Sequence, residues 1–152
     1  MRATVMPPLL AGMLLVTTGC SSDKALEQPS PAGSVADQCR QVMGLLPEAL
    51  VGQPRTSREA NVATWGDPRI SVRCGVPKPA KLEPASRCDV LNGVGWFAED
   101  PGTAVRKAWR FTTIGRSGYI EVVVPEKYEP AADVLIELTE AVQQMPVVKP
   151  CR

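Results

Sequence analysis

Four arginines fall in or beside segments that alternate apolar and polar residues: Arg69 and Arg73 around Ile70-Ser71-Val72, Arg110 within Trp109 to Ile114, and Arg116 in the glycine-rich turn that follows. Arg69 and Arg73 share a parity opposite Ile70, Val72 and Cys74, so an extended chain places both on the face away from those apolar residues. Gathered with Arg110 and Arg116 on the open face of a sheet, they would clamp a phosphate or carboxylate, because guanidinium groups recognise such anions through paired hydrogen bonds. Left apart, they would form the solvated side that antiparallel sheets commonly turn to water. Trp65-Gly66-Asp67-Pro68 adds a ring and a carboxylate that would suit the rim of a pocket for sugars or other polar ligands. The plainer use of that tetrapeptide is a turn whose tryptophan fills the core.

Catalytic constellations are harder to find. The chain has no histidine, which removes the commonest general base, the commonest metal ligand and the usual partner of a serine or cysteine nucleophile. Asp67, Asp89, Glu99, Asp100 and Glu121 offer carboxylates, but paired acid and base work needs a fixed separation between two of them. Ser117 sits in Gly115-Arg116-Ser117-Gly118-Tyr119, which misses the nucleophile elbow at its last position and belongs to a hairpin turn. No catalytic residue, metal site or cofactor is assigned, and a net charge of +1 is too small a field to draw in nucleic acid.

The five cysteines divide by compartment. Arg2 precedes a short apolar stretch from Met6 to Gly19, and Gly19-Cys20 is followed at once by Ser21-Ser22-Asp23-Lys24. Such a run is too short to span a bilayer and reads as a secretory signal over residues 1–19. The cysteine at the junction makes it a lipoprotein signal, cut before Cys20 once its thiol carries diacylglycerol, although Thr17 stands where an aliphatic residue is usual. The mature chain is then expected outside the cytoplasm, with the membrane as its partner through the lipid on Cys20, since two acyl chains hold a protein where one does not. Cys39, Cys74, Cys88 and Cys151 remain, an even number in an exported chain. Of three possible pairings, Cys39 with Cys151 and Cys74 with Cys88 are expected, the first tying the ends and the second stapling a local loop. No Cys-x-x-Cys pair exists to suggest zinc.

These residues need a scaffold, and 152 residues with 44% apolar and 22% charged side chains allow one globular domain. Residues 20–33 read as a polar, proline-containing tether, leaving 34–152 to fold. A helix is expected from Ser34, with Asp37 as an acidic capping-box variant, Cys39, Val42, Met43 and Leu46 on one face, and Pro47 as its stop. Gln53 to Arg58 is ambiguous with an edge strand. Ile70 to Cys74 alternates as a half-buried strand does, and Cys88 to Leu91 and Val94 to Phe97 flank Asn92-Gly93, the dipeptide best suited to a two-residue hairpin. Trp109 to Ile114 and Tyr119 to Val124 form a second hairpin through Gly115-Arg116-Ser117-Gly118. A last helix from Pro130 would bury Val134, Leu135, Leu138, Ala141, Val142 and Met145 and end at Pro146. The order predicts an α+β domain of two layers, a mainly antiparallel sheet with the N- and C-terminal helices packed on one face and disulfide staples.

Trp65-Gly66-Asp67-Pro68, Arg73-Cys74-Gly75-Val76, Cys88 followed by Asn92-Gly93-Val94-x-Trp96, Phe111-Thr112-Thr113-x-Gly115-Arg116 and Glu121-Val122-x-Val124-Pro125 together resemble an actinobacterial envelope lipoprotein family of unknown function, the DUF3515 domain family. The likeness covers most of the chain after the tether. It implies an exported, lipid-anchored protein and carries over no activity.

The expected role is therefore a non-enzymatic binding or accessory module of the cell envelope, with an envelope protein or cell-wall component as partner. The alternatives are an envelope enzyme acting on an anionic or glycan substrate, and a purely structural docking component. Cys20→Ala should move the protein from the membrane fraction into the medium; continued membrane retention would contradict the anchor.

Overall fold

The computed structural model describes residues 25–100 and 107–151, so the expected signal segment and Cys20 lie outside the described residues. After helix α1 (Gly33–Leu45) come eight strands: β1 (Ala49–Leu50), β2 (Gln53–Arg58), β3 (Val62–Trp65), β4 (Ile70–Val76), β5 (Asp89–Leu91), β6 (Val94–Glu99), β7 (Ala108–Ile114) and β8 (Tyr119–Pro125). Two short helices, α2 (Ala131–Glu137) and α3 (Thr139–Val142), follow a single helical turn at Glu126–Tyr128. The strands form one sheet in the order β1-β2-β3-β4-β8-β7-β6-β5, and every pairing is antiparallel. It consists of two four-stranded meanders sewn together where β4 meets β8.

Alternation in the central strands separates two kinds of environment. Ile70, Val72 and Cys74 of β4 and Ile120, Val122 and Val124 of β8 are fully buried, in one cluster with Ala63, Trp65, Val94 and Trp96. The helices feed the same cluster: Cys39, Val42 and Met43 from α1, Val134 and Leu135 from α2, Ala141 and Val142 from α3. The other parity carries the polar residues Thr64, Ser71, Arg73, Thr112 and Glu121, with Val62 and Val123 among them.

Local chemistry explains the turns. Asn92 and Gly93 take φ of 47° and 75° between β5 and β6, the paired positive angles that match a two-residue turn to strand twist. Trp65 ends β3 with no exposed surface. Its indole N–H donates to the Pro47 carbonyl at 3.0 Å. The Arg55 guanidinium donates to the Leu46 and Pro47 carbonyls and lies 5.7 Å from the Trp65 ring. One tryptophan and one arginine thus satisfy the carbonyls where α1 gives way to the sheet. The helix begins at Gly33, with Ala32 before it and no side-chain cap; Asp37 pairs with Arg40 instead of capping. The C-terminal helix is divided at Leu138, whose ψ of −7° departs from helical geometry.

The disulfides correct the expected pairing. Cys39 joins Cys74, and Cys88 joins Cys151. Cys74 and Cys88 are close in sequence but not in space, because β8, β7 and β6 stand between β4 and β5. Four strand spacings amount to about 19 Å, far beyond a disulfide's reach. Cys74 has the parity of the buried residues and meets Cys39 on α1. Cys151 reaches the other edge because residues 147–149 dock on the β7–β8 turn, where the Gly115 carbonyl accepts from Val148 and Lys149 N–H at 2.8 and 3.0 Å. A Cβ on Gly115 would fall 1.8 Å from the Lys149 carbonyl oxygen, and the φ of 73° also favours glycine.

The bridges join residues 35 and 63 apart in sequence, for which the chain-entropy model gives about 4 kcal/mol each. A non-reducing peptide map should yield Cys39–Cys74 and Cys88–Cys151. Removing either pair with alanines should lower unfolding free energy by about 2–4 kcal/mol in urea titration; recovery of a Cys74–Cys88 peptide would refute the arrangement.

Candidate functional site

The polar parity of β4, β7 and β8 converges on one carboxylate. Arg73 of β4 stands directly opposite Glu121 of β8. Thr112 of β7 is opposite Glu121 on the other side, which brings Arg110 to it diagonally on the same face. Arg73 Nε donates to Glu121 Oε1 at 2.9 Å, and Arg110 Nε lies 3.3 Å from Glu121 Oε2. The Glu121 side chain keeps only 9% of its surface, against 21% for Arg73 and 53% for Arg110. A carboxylate so buried must have partners to offset its lost hydration. Each of its oxygens has one guanidinium.

Around this triad lies a groove of about 800 Å³, lined by Arg69, Arg73, Lys107, Arg110 and Lys127 as cations and by Asp67, Glu121 and Glu126 as carboxylates, with Leu26, Pro68, Ala108, Val123 and Pro125 between them. A second hollow of about 400 Å³ adjoins it, sharing Leu26, Asp67 and Arg69 and lined further by Thr56, Ser57 and Thr64. The hydroxyls of Thr56 and Ser57 lie 2.8 and 2.9 Å from that of Thr64. Lys127 is held at the rim, its Nζ donating to the Asp67 carbonyl at 2.7 Å.

The expected tether is described from Ala25 onward, and there it is tied to this face. The Glu27 carbonyl accepts from Arg73 Nη1 at 3.3 Å, and the Pro29 carbonyl accepts from Asn61 Nδ2 at 3.0 Å. Gln28 donates to Glu59. Pro31 packs so closely on Gly75 that a Cβ there would approach its ring carbons to 2.6 Å. Leu26 lies where the two hollows meet.

The six residues singled out for ligand binding thus separate. Arg69, Arg73, Arg110 and Asp67 come together in the groove. Trp65 does not, since it is wholly buried in the core. Arg116 does not either: it is 8% exposed, donates to the Met145 carbonyl, and reaches toward the Gly93 carbonyl at 3.5 Å. Burial without a compensating carboxylate pushes its pKa below the usual arginine value through desolvation. It braces the end of the last helix against the β5–β6 turn, because the β7–β8 turn carries it away from the strand faces. Sequence reasoning missed Lys107, Lys127 and the strap at Leu26–Glu27, which arrive from chain ends and turns with no periodicity. Glu121 carried one readable signal: the β7–β8 hairpin register alone places it beside Arg110.

A family model described as "Protein of unknown function (DUF3515)" matches residues 4–150. The chain belongs to that family. No curated protein and no solved structure shows significant similarity to it. For this DUF3515 member, chemistry must therefore be argued from the groove. Among the described residues no cluster of cysteine, aspartate and glutamate could hold a metal ion, and no helix is long and apolar enough to cross a membrane.

A double-mutant cycle should separate the two arms of the triad. The Arg73–Glu121 pair, more enclosed, should couple by about 1.5–3 kcal/mol, and the exposed Arg110–Glu121 pair by less than about 1 kcal/mol. Equal coupling measured by urea unfolding would contradict the burial difference.

Proposed function

We propose that this protein is an exported lipoprotein, anchored at the outer face of the cell membrane through diacylglycerol on Cys20, whose domain is a non-enzymatic binding module of the cell envelope. Its ligand is an anionic envelope component taken into the groove over Arg69, Arg73 and Arg110. The scaffold is a two-layer α+β domain in which both helical segments cover the apolar side of the sheet, leaving the polar side for recognition.

One observation carries this reading: Arg73 and Arg110 are oriented by a shared, nearly buried carboxylate. A guanidinium has five N–H donors, more than Glu121 uses, so donors are held in place before a ligand arrives, which lowers the ordering cost of binding. Position supports the anchor as well. Cys20 precedes Ala25 by five residues, at most about 18 Å of chain, and residues 25–31 are fastened to the groove face. A lipid on Cys20 would hold that face near the bilayer.

The enzymatic alternative needs a carboxylate beside the arginines, and Glu121 supplies one. It ranks second because both Glu121 oxygens are engaged by guanidinium groups, so neither is placed to take or give a substrate proton.

Inorganic phosphate titrated into the protein should shift the Arg73 and Arg110 side-chain N–H resonances. Arg73→Gln with Arg110→Gln should weaken binding at least about tenfold, the equivalent of 1.4 kcal/mol. Unmoved arginine resonances at millimolar phosphate would remove the anion-site reading.

A further inference from the structure

The composition of the groove narrows its ligand, and this step rests on the anion-binding reading. Five cations and three carboxylates line it, but they are not evenly mixed. Arg73 and Arg110 flank Glu121 at the centre, while Asp67 and Glu126 lie toward the side where Lys127 meets the Asp67 carbonyl. An elongated polyanion would place further charge against Asp67 and Glu126, a like-charge penalty that a ligand with one anionic group limits to Glu121, whose charge is already offset by its two guanidinium groups. Apart from Ser71, the uncharged lining is apolar. Val123 is directly opposite both Ser71 of β4 and Arg110 of β7, so a ligand reaching the two arginines from along β8 must lie across Val123, toward Pro125, in a groove that Leu26 of the strap also lines. A groove of about 800 Å³ is in the range that accommodates whole ligands rather than single ions.

We infer that the groove binds a phosphate-bearing amphiphile: one phosphate among Arg73, Arg110 and neighbouring cations, and an apolar chain along Val123, Pro125 and Leu26. Phosphate suits the centre because its several oxygens accept from two guanidinium groups at once. The apolar chain supplies binding in proportion to the surface it buries. The ligand draws on the same groups that hold the strap, since Arg73 also donates to the Glu27 carbonyl and Leu26 lines the groove.

The test compares methyl phosphate, dodecyl phosphate below its micellar concentration and dodecyl maltoside, each titrated into the full chain carrying Cys20→Ala, which removes the proposed lipid attachment point. Dodecyl phosphate is expected to bind at least tenfold more tightly than methyl phosphate and to shift the Val123 methyl as well as the Arg73 and Arg110 side-chain resonances. Leu26→Ser, at a partly exposed position, should remove most of that tenfold gain, so that the two phosphates bind with nearly equal affinity. Equal affinity for the two phosphates would overturn the amphiphile while the anion site stands. Dodecyl maltoside binding as tightly as dodecyl phosphate would overturn it by showing that the phosphate contributes nothing. If no phosphate probe moves either arginine, both the amphiphile and the anion site fall.

Discussion

The antiparallel pairing of β4 with β8 is the constraint on which the rest depends. It joins two meanders that would otherwise be separate four-stranded sheets, and it runs along the most buried residues of the domain, Ile70, Val72 and Cys74 against Ile120, Val122 and Val124. Because side chains alternate along a strand, the register that stacks Val72 against Val122 also sets Arg73 against Glu121. A slip by one residue would bury the arginine and expose the valine. Core and groove are therefore two readings of one register, and the apolar side enforces the geometry of the charged side. The Cys39–Cys74 bridge reinforces it by tying α1 to the same strand.

What the sequence makes legible follows from the range of the interactions. The β5–β6 and β7–β8 hairpins are written locally, in Asn92-Gly93 and in the alternation on either side of Gly115 to Gly118, and both stand as expected. Helix α1, stopped before Pro47, and the apolar residues of the last helical segment are likewise set by short-range periodicity. Strand β3 escapes such reading because Val62-Ala63-Thr64-Trp65 is buried on both sides and does not alternate. The β4–β8 pairing escapes it for another reason: its partners are 48 residues apart and linked through a whole meander. The cysteine pairing fails with it. Proximity in sequence favours Cys74 with Cys88, and only the strand order reveals that a full half-sheet lies between them.

The candidate site was half legible on the same grounds. Arg69, Arg73 and Arg110 share the polar parity of their strands, which alternation alone can indicate. Arg116 carries the same charge and lies only six residues beyond Arg110, but the turn at Gly115 removes it from that parity and buries it under the chain terminus. Residue type thus says little about role without the face a residue occupies.

Arg116 and Arg73 together show how this fold handles cations. Arg116 is enclosed with carbonyl oxygens as its acceptors and has its Nε buried without a partner among the described residues, an arrangement that depends on desolvation being tolerated for the sake of bracing two segments. Arg73 is given a carboxylate and a place beside water. The carboxylate of Glu121 is itself nearly enclosed, so it binds Arg73, the more enclosed of its two arginines, more strongly than a surface carboxylate would in high dielectric. That asymmetry restricts what the groove can do. A carboxylate with both oxygens engaged by guanidinium groups has neither turned to a substrate, whereas guanidinium groups fixed on one edge keep further N–H donors toward water. The polar face holds its charges in place, and that is the property on which the proposed recognition role rests.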